Sequence, residues 1–277
     1  MERFAKILWT PRAATVRESV WNIFQRLTRT AFAGMNTLPR YKTALVLSGG
    51  GMFGAWQAGA WRALAERVFM PDLIVGASAG SLNGYAIACG ATPRELTEFW
   101  MQPELGSLRN LPRTTQSLMK FRSLQIEYAC VVTDLLRLKP RIIQGADVTW
   151  QHLAASCAIP GIMPHYKIGG RWYTDGGLLN PLPVWAAVDL GATRIIAVNV
   201  LPEVPSLWLK PLVKGFRGVF GHHPAVPETI QLTLLKPPAV LGSLRDALRW
   251  NRDNAARWID AGYAAAKNIS ILNCLER

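Results

Sequence analysis

TALVLSGGGMFG, residues 43–54, decides how the rest of the chain is read. The run from Thr43 to Ser48 has the length and unbroken apolarity of a strand buried on both faces. It passes directly into Gly49, Gly50, Gly51 and Gly54, and then into a helical pattern from Ala55 to Val68. Four glycines in six residues at a strand-to-helix junction present the backbone itself to a ligand. A second apolar run, DLIVGA from Asp72 to Ala77, repeats the pattern, and such alternation implies a parallel sheet. The ligand of the glycine loop is then either a nucleotide pyrophosphate or the oxygen of a reacting ester.

Gly49-x-Gly51-x-x-Gly54 satisfies the dinucleotide fingerprint in its proper context, between a strand and a helix. That fingerprint also needs an acidic residue at the end of the next strand, to hold the ribose hydroxyls. The chain has Gly76-Ala77-Ser78-Ala79-Gly80 there, and Asp72 stands at the opposite end of the strand. The nucleotide reading fails on this point. G-x-S-x-G at a strand end is instead a nucleophile elbow, in which small neighbours tolerate a tight turn that lifts the serine hydroxyl to the sheet edge. A helix from about Ala79 to Ala88 would aim its N-terminal amides at the same spot. Loops that follow neighbouring parallel strands emerge at one edge. The N–H groups of Gly49, Gly50 and Gly51 are therefore expected to form an oxyanion hole for a carbonyl attacked by Ser78.

A serine hydroxyl needs a base. The four histidines are His152, in a helix that reads as packed, His165, His222 and His223. The order Ser78, Asp175, His222 or His223 would satisfy the triad order of an α/β-hydrolase, but a Gly-His-His-Pro loop is a poor support for a base. Asp175 is the stronger candidate. It lies in YTDGGLLNPLP, residues 173–183, where Gly176 and Gly177 permit close backbone approach and Leu178-Leu179 follow at once. This looks like a carboxylate delivered to the floor of a pocket, where burial raises its basicity.

Taken together, Gly49–Gly54, Gly76–Gly80, Asp175-Gly176-Gly177 and the segment Ala154–Pro164, ASCAIPGIMP at its core, resemble the patatin-like phospholipase family from about Lys42 to Val200. The resemblance implies an α/β fold, a three-layer sandwich around a mostly parallel central sheet. It also implies a serine acyl hydrolase that cleaves lipid esters through a Ser78–Asp175 dyad and the glycine-loop oxyanion hole, with no metal and no other cofactor. Phospholipid, lysophospholipid and neutral esters are all open as substrates. One departure stands out: the family's loop commonly carries Arg or Lys just before its last glycine, where this chain has Phe53. That favours a more neutral substrate. Trp56, Phe99, Trp100, Trp172 and Trp185 are candidates either for an acyl channel or for the core.

The rest of the chain bears on partners. Of 277 residues half are hydrophobic, and the net charge is +13, which points to an anionic partner surface. In the arm over residues 1–40, seven cations face two acids, and residues 16–32 read as a basic amphipathic helix. This arm would bind an anionic membrane, pack on the domain, or serve as a presequence. The domain proper runs over 41–277, with a Pro- and Gly-rich flap at about 202–227 and a final helix at about 243–267. The flap is read as mobile or as a second membrane-facing patch. Cys89, Cys130, Cys157 and Cys274 are widely spaced, which argues against disulfides and zinc and for a reduced cytoplasmic setting, peripheral on a membrane. No motif frames the basic residues for nucleic acid. The competing function is a catalytically silent membrane binder of the same fold.

Overall fold

The computed structural model describes residues 42–120, 123–202, 209–222, 224–267 and 269; the basic arm over 1–40, His223 and Cys274 lie outside them. The elements in chain order are β1 (Lys42–Leu47), α1 (Gly54–Glu66), β2 (Leu73–Ala77), α2 (Ala79–Ala88), α3 (Pro93–Trp100), α4 (Leu111–Met119), β3 (Glu127–Asp134), β4 (Lys139–Gln144) and α5 (Trp150–Ser156). There follow β5 (Tyr166–Ile168), β6 (Arg171–Thr174), α6 (Val184–Asp189), β7 (Ala192–Val198), α7 (Leu209–Phe220), β8 (Gln231–Leu235), α8 (Leu244–Leu248) and α9 (Arg252–Lys267).

Five strands run parallel in the spatial order β3-β2-β1-β7-β8, with Leu47 of β1 opposite both Gly76 of β2 and Val198 of β7. Helices cover both faces, which is why these strands read as unbroken apolar runs. Ala44, Val46, Val75 and Ala197 face α6 through Val184 and Trp185. Leu45, Leu47, Ile74 and Ile196 face the larger core, with Phe53, Trp56, Trp100 and Trp258. The result is a three-layer α/β sandwich.

The antiparallel part of the sheet does the positioning. Along one edge of β3, residues 129–134 pair with β4. Along the other edge, residues 127–131 pair with β2, and β6 then takes up the pairing at Thr133 and Asp134. Strands β2 and β6 therefore occupy one slot beside β3 and run toward each other head-on. The residue after β2 is Ser78, and the residue after β6 is Asp175.

Two stretches depart from expectation. The helix expected over 243–267 is two helices, because Arg249 has an extended backbone and Asn251 caps a fresh start by accepting the Asn254 N–H at 2.9 Å. Trp250, in the break, turns inward and donates its indole N–H to the Trp100 carbonyl at 2.9 Å. Tertiary contact thus overrides an unbroken helical pattern. Within the flap the chain forms α7, with Pro211 in the first turn, where a missing N–H costs no helical hydrogen bond. No helix of the described residues is long and apolar enough to cross a membrane.

Candidate active site

Ser78 caps α2 with φ 52° and ψ −127°, a conformation that a non-glycine residue rarely adopts. Its neighbours make this geometry possible. A Cβ on Gly80 would collide with the Leu47 carbonyl oxygen, and one on Gly76 with the Gly80 carbonyl oxygen, so the turn closes only with bare backbone at both places. The Ser78 N–H donates to Ser156 Oγ at 2.8 Å, and the Ser156 hydroxyl donates in turn to the Val131 carbonyl at 2.7 Å. The Ser81 hydroxyl donates to the Ser78 carbonyl at 2.7 Å. Both backbone polar groups of Ser78 are thus tied down.

The Asp175 turn is held from three sides. The Asp175 N–H and the Thr174 hydroxyl both donate to the Ala158 carbonyl, at 3.0 and 2.7 Å. The Thr133 hydroxyl donates to the Asp175 carbonyl at 2.8 Å, and the Gly177 N–H donates to the carboxylate Oδ1 at 2.8 Å. Burial pushes the Asp175 carboxyl up to about 6, against the opposing pull of the Ser78 hydroxyl, the Gly177 N–H and the Arg217 guanidinium. A carboxyl whose proton is held up to about 6 is equipped to accept a proton near neutrality.

This arrangement can be set beside known proteins. The model of the family described as patatin-like phospholipase matches residues 45–134 and 147–188, which include both turns. The chain belongs to the patatin-like phospholipase family. An uncharacterized NTE family protein of Mycobacterium tuberculosis is 29% identical over 209 residues, 65% of this chain and 58% of that one. The lysophospholipase NTE1 of Kluyveromyces lactis is 26% identical over 254 residues, 81% of this chain and 17% of that one. The chain therefore spans a little over half the length of the first relative and a small part of the second. Among solved structures, VipD from Legionella pneumophila is 14% identical and covers 83% of this chain and 66% of VipD, with a TM-score of 0.49.

In this patatin-like protein the glycine loop lies over the elbow, and Gly49 approaches so closely that a Cβ there would stand 3.2 Å from the Ser78 Cβ. The Gly49 N–H is already engaged, donating to the Pro181 carbonyl at 2.8 Å. That bond pins the loop to the exit of the Asp175 turn, and the N–H groups at the tip belong to Gly50 and Gly51. A buried polar network supports the loop from below. Gln57 Nε2 donates to the Ser48 carbonyl at 2.7 Å, Asn83 Nδ2 to Gln57 Oε1 at 2.9 Å, and Trp100 Nε1 to Asn83 Oδ1 at 2.7 Å. Phe53, in place of the family's usual cation, is fully buried and meets Trp258 edge-on with ring centroids 4.9 Å apart.

A cleft opens beside Ser78, bounded by Gly51, Met52, Leu82, Trp100, Leu111, Ile159, Met163 and Leu248. Its walls are nearly all apolar. Of the five aromatic channel candidates only Trp100 lines it. Trp56 and Phe99 are core, Trp185 packs on the opposite face of the sheet, and Trp172 is 39% exposed. Two of the described histidines have other partners. His152 Nδ1 accepts the Thr149 N–H at 3.2 Å, and His222 places its ring edge-on to Trp185, 4.5 Å between centroids, with its carbonyl held by Asn180. Among the described residues no histidine bonds to Ser78 or Asp175.

Three contributors escaped the sequence reading. Ser156 sits inside the quoted Ala154–Pro164 block, yet nothing in its type announces a bond to the nucleophile's amide. Thr133 was hidden in an apolar strand. Arg217, on α7, donates Nε to the Leu178 carbonyl at 3.2 Å and Nη2 to the Gly177 carbonyl at 3.1 Å. Its signal was weak, since Arg217 shares its segment with Lys210 and Lys214 and nothing in the pattern sets it apart from them.

Proposed function

We propose that this protein is a serine acyl hydrolase of lipid esters, with Ser78 as nucleophile and Asp175 as base. The observation that carries this reading is the head-on meeting of β2 and β6, with a strained serine at one chain end and a buried carboxylate at the other, at the mouth of an apolar cleft. Ser78 Oγ attacks the ester carbonyl carbon as its proton passes to Asp175. The N–H groups of the glycine loop, with Gly49 fixing the loop and Gly50 and Gly51 nearest the reacting oxygen, hold the tetrahedral oxyanion. As the C–O bond breaks, Asp175 returns the proton to the departing alcohol. Water then adds to the acyl-enzyme, giving its proton to Asp175, and the carboxylic acid leaves with Ser78 restored. The net reaction is ester plus water to acid plus alcohol.

The apolar walls suit an acyl chain, since burying each methylene contributes about 0.8 kcal/mol. The name of the Kluyveromyces lactis relative, a lysophospholipase, supports a glycerolipid ester as the substrate class. Phe53, buried in the core, leaves no cation at that loop position to meet an acidic head group, so a zwitterionic or neutral lipid is the better fit.

The test is covalent labelling. A fluorophosphonate should modify the folded protein at Ser78, identified by peptide mass, and Asp175→Asn should abolish labelling while His222→Ala and His223→Ala leave it intact. Labelling that survives Asp175→Asn but is lost with either histidine would replace the dyad by a triad. No labelling of a folded wild type would favour the silent membrane binder.

A further inference from the structure

Helix α7 combines an exposed outer side with direct bonds to the turn that carries Asp175. A Cβ at Gly215 or Gly218 would meet no atom within 4 Å, Lys214 is exposed, and Val219 and Phe220 are 75% and 45% exposed. An apolar pair left in water at the end of a helix that also exposes a lysine is the composition of a segment that lies on a lipid surface. Residues 209–220 contain Lys210, Lys214 and Arg217 and no acid. The whole chain carries +13, so the complementary surface is anionic.

About 200° around from Val219 and about 60° around from Phe220, at the usual 100° per residue, Arg217 turns inward to the Asp175 turn. Its two bonds fix the carbonyls of Gly177 and Leu178, the residues that follow directly on the carboxylate. The His222 carbonyl, just past the end of the helix, is held by Asn180 at 2.7 Å in the same turn. One side of α7 thus rests on the Asp175 turn while the other faces solvent. We propose that α7 docks the protein on an anionic lipid surface and that Arg217 is a positioning residue tying this docking to the placement of Asp175. The second half rests on the hydrolase reading above; the first does not.

The groups acting on Asp175 are few. Besides the Ser78 hydroxyl and the Gly177 N–H they are the Arg217 guanidinium from α7 and the thiols of Cys130 on β3 and Cys157 after α5, both of which burial keeps protonated. Arg217 is the one cation among them, so lifting α7 removes both a brace from the turn and the positive charge that keeps the carboxylate ionised. With α7 lifted, the turn would be looser and the carboxyl would hold its proton to higher pH, leaving less of it ionised to accept the serine proton near neutrality.

Both halves can be read without turnover. Full-length Ser78→Ala protein should float with vesicles of phosphatidylcholine and phosphatidylglycerol at low salt, and not with phosphatidylcholine alone. Adding Val219→Ser and Phe220→Ser should weaken that binding at least about tenfold. Flotation that ignores these substitutions, or that is equal on neutral vesicles, overturns the docking surface. Retention on a polyanionic peptide without flotation overturns it in favour of an acidic protein partner. For Arg217, the Asp175 carboxyl band is followed by infrared difference spectroscopy against Asp175→Asn. Arg217→Met should move its titration to higher pH, and Arg217→Lys should restore most of the shift. An unmoved titration overturns the link to the base. Failure of the fluorophosphonate to label Ser78 would undo the hydrolase reading while leaving both of these readouts standing.

Discussion

The two turns that meet at the candidate active site are held by different means. The elbow at Ser78 is closed by backbone against backbone: Gly76 and Gly80 approach carbonyl oxygens so closely that no side chain fits, and the strain at Ser78 is locked in by the strand and helix on either side. The Asp175 turn is held by donors lent from elsewhere, from Thr133 on β3 and Arg217 on α7, and by the Ala158 carbonyl beyond α5. A local motif therefore specifies the first turn, and tertiary structure specifies the second. The elbow should tolerate almost no substitution in its frame; in the aspartate turn Gly176 is as strict, since its Cβ would collide with the Val131 carbonyl oxygen, while the rest of that turn should degrade by degrees.

The contrast can be broken in several places. The largest effect should come from Asp175→Asn, which keeps the volume but removes the base: ester turnover should fall about 100- to 10,000-fold with little loss of substrate affinity, read as kcat against KM. Gly80→Ala comes next. Its methyl group would run into the β1 backbone and should lower the unfolding free energy by about 3–5 kcal/mol, measured by chemical denaturation.

The Asp175 carboxyl itself supplies a third measure. Because its folded value, about 6, lies above the ordinary 3.8, the native state holds this proton more tightly than the unfolded chain. Its contribution to stability is complete below about pH 4 and is lost as pH rises through about 6. Wild type should therefore gain about 2–3 kcal/mol over Asp175→Asn on going from pH 7 to pH 4, in parallel denaturation curves. Activity should show the reverse dependence, rising as pH passes 6.

Ser156→Ala would strand the Ser78 N–H and the Val131 carbonyl in a buried place, at about 1–3 kcal/mol of stability, with a fall in kcat as the elbow loosens. Gly177→Ala should be mildest, because the nearest atoms to its Cβ are Asp175 Oδ1 at 3.1 Å and Pro181 Cα at 3.4 Å. A loss under about 1 kcal/mol is expected. A Gly177→Ala protein as unstable as Gly80→Ala would erase the distinction between the two turns.

The same distinction explains what could be read before the structure. The buried parallel strands announce themselves because both their faces are covered, and the glycine loop and the elbow because their geometry admits so few residue types. Asp175 was legible through its glycines. Its delivery was not, since β5 and β6 are three and four residues long and the sequence reading passed over them, although Gly169-Gly170 between them is a strong hairpin signal. Ser156, Thr133 and Arg217 act through partners far away in sequence, and no pattern of neighbours encodes such bonds. The break at Arg249 was equally hidden, because Trp250 leaves the helix for a carbonyl on α3.

One consequence of the shared slot beside β3 concerns metering. Ala77 is paired with Val131 and Thr174 with Thr133, so the gap between the two chain ends is counted out by two residues of a third strand, about 7 Å of extended chain. Strand β3 thus works as a gauge block: its residue count sets how far apart Ser78 and Asp175 can stand. A single residue inserted between Val131 and Thr133 would misset the pair by about half that spacing while leaving each motif letter-perfect.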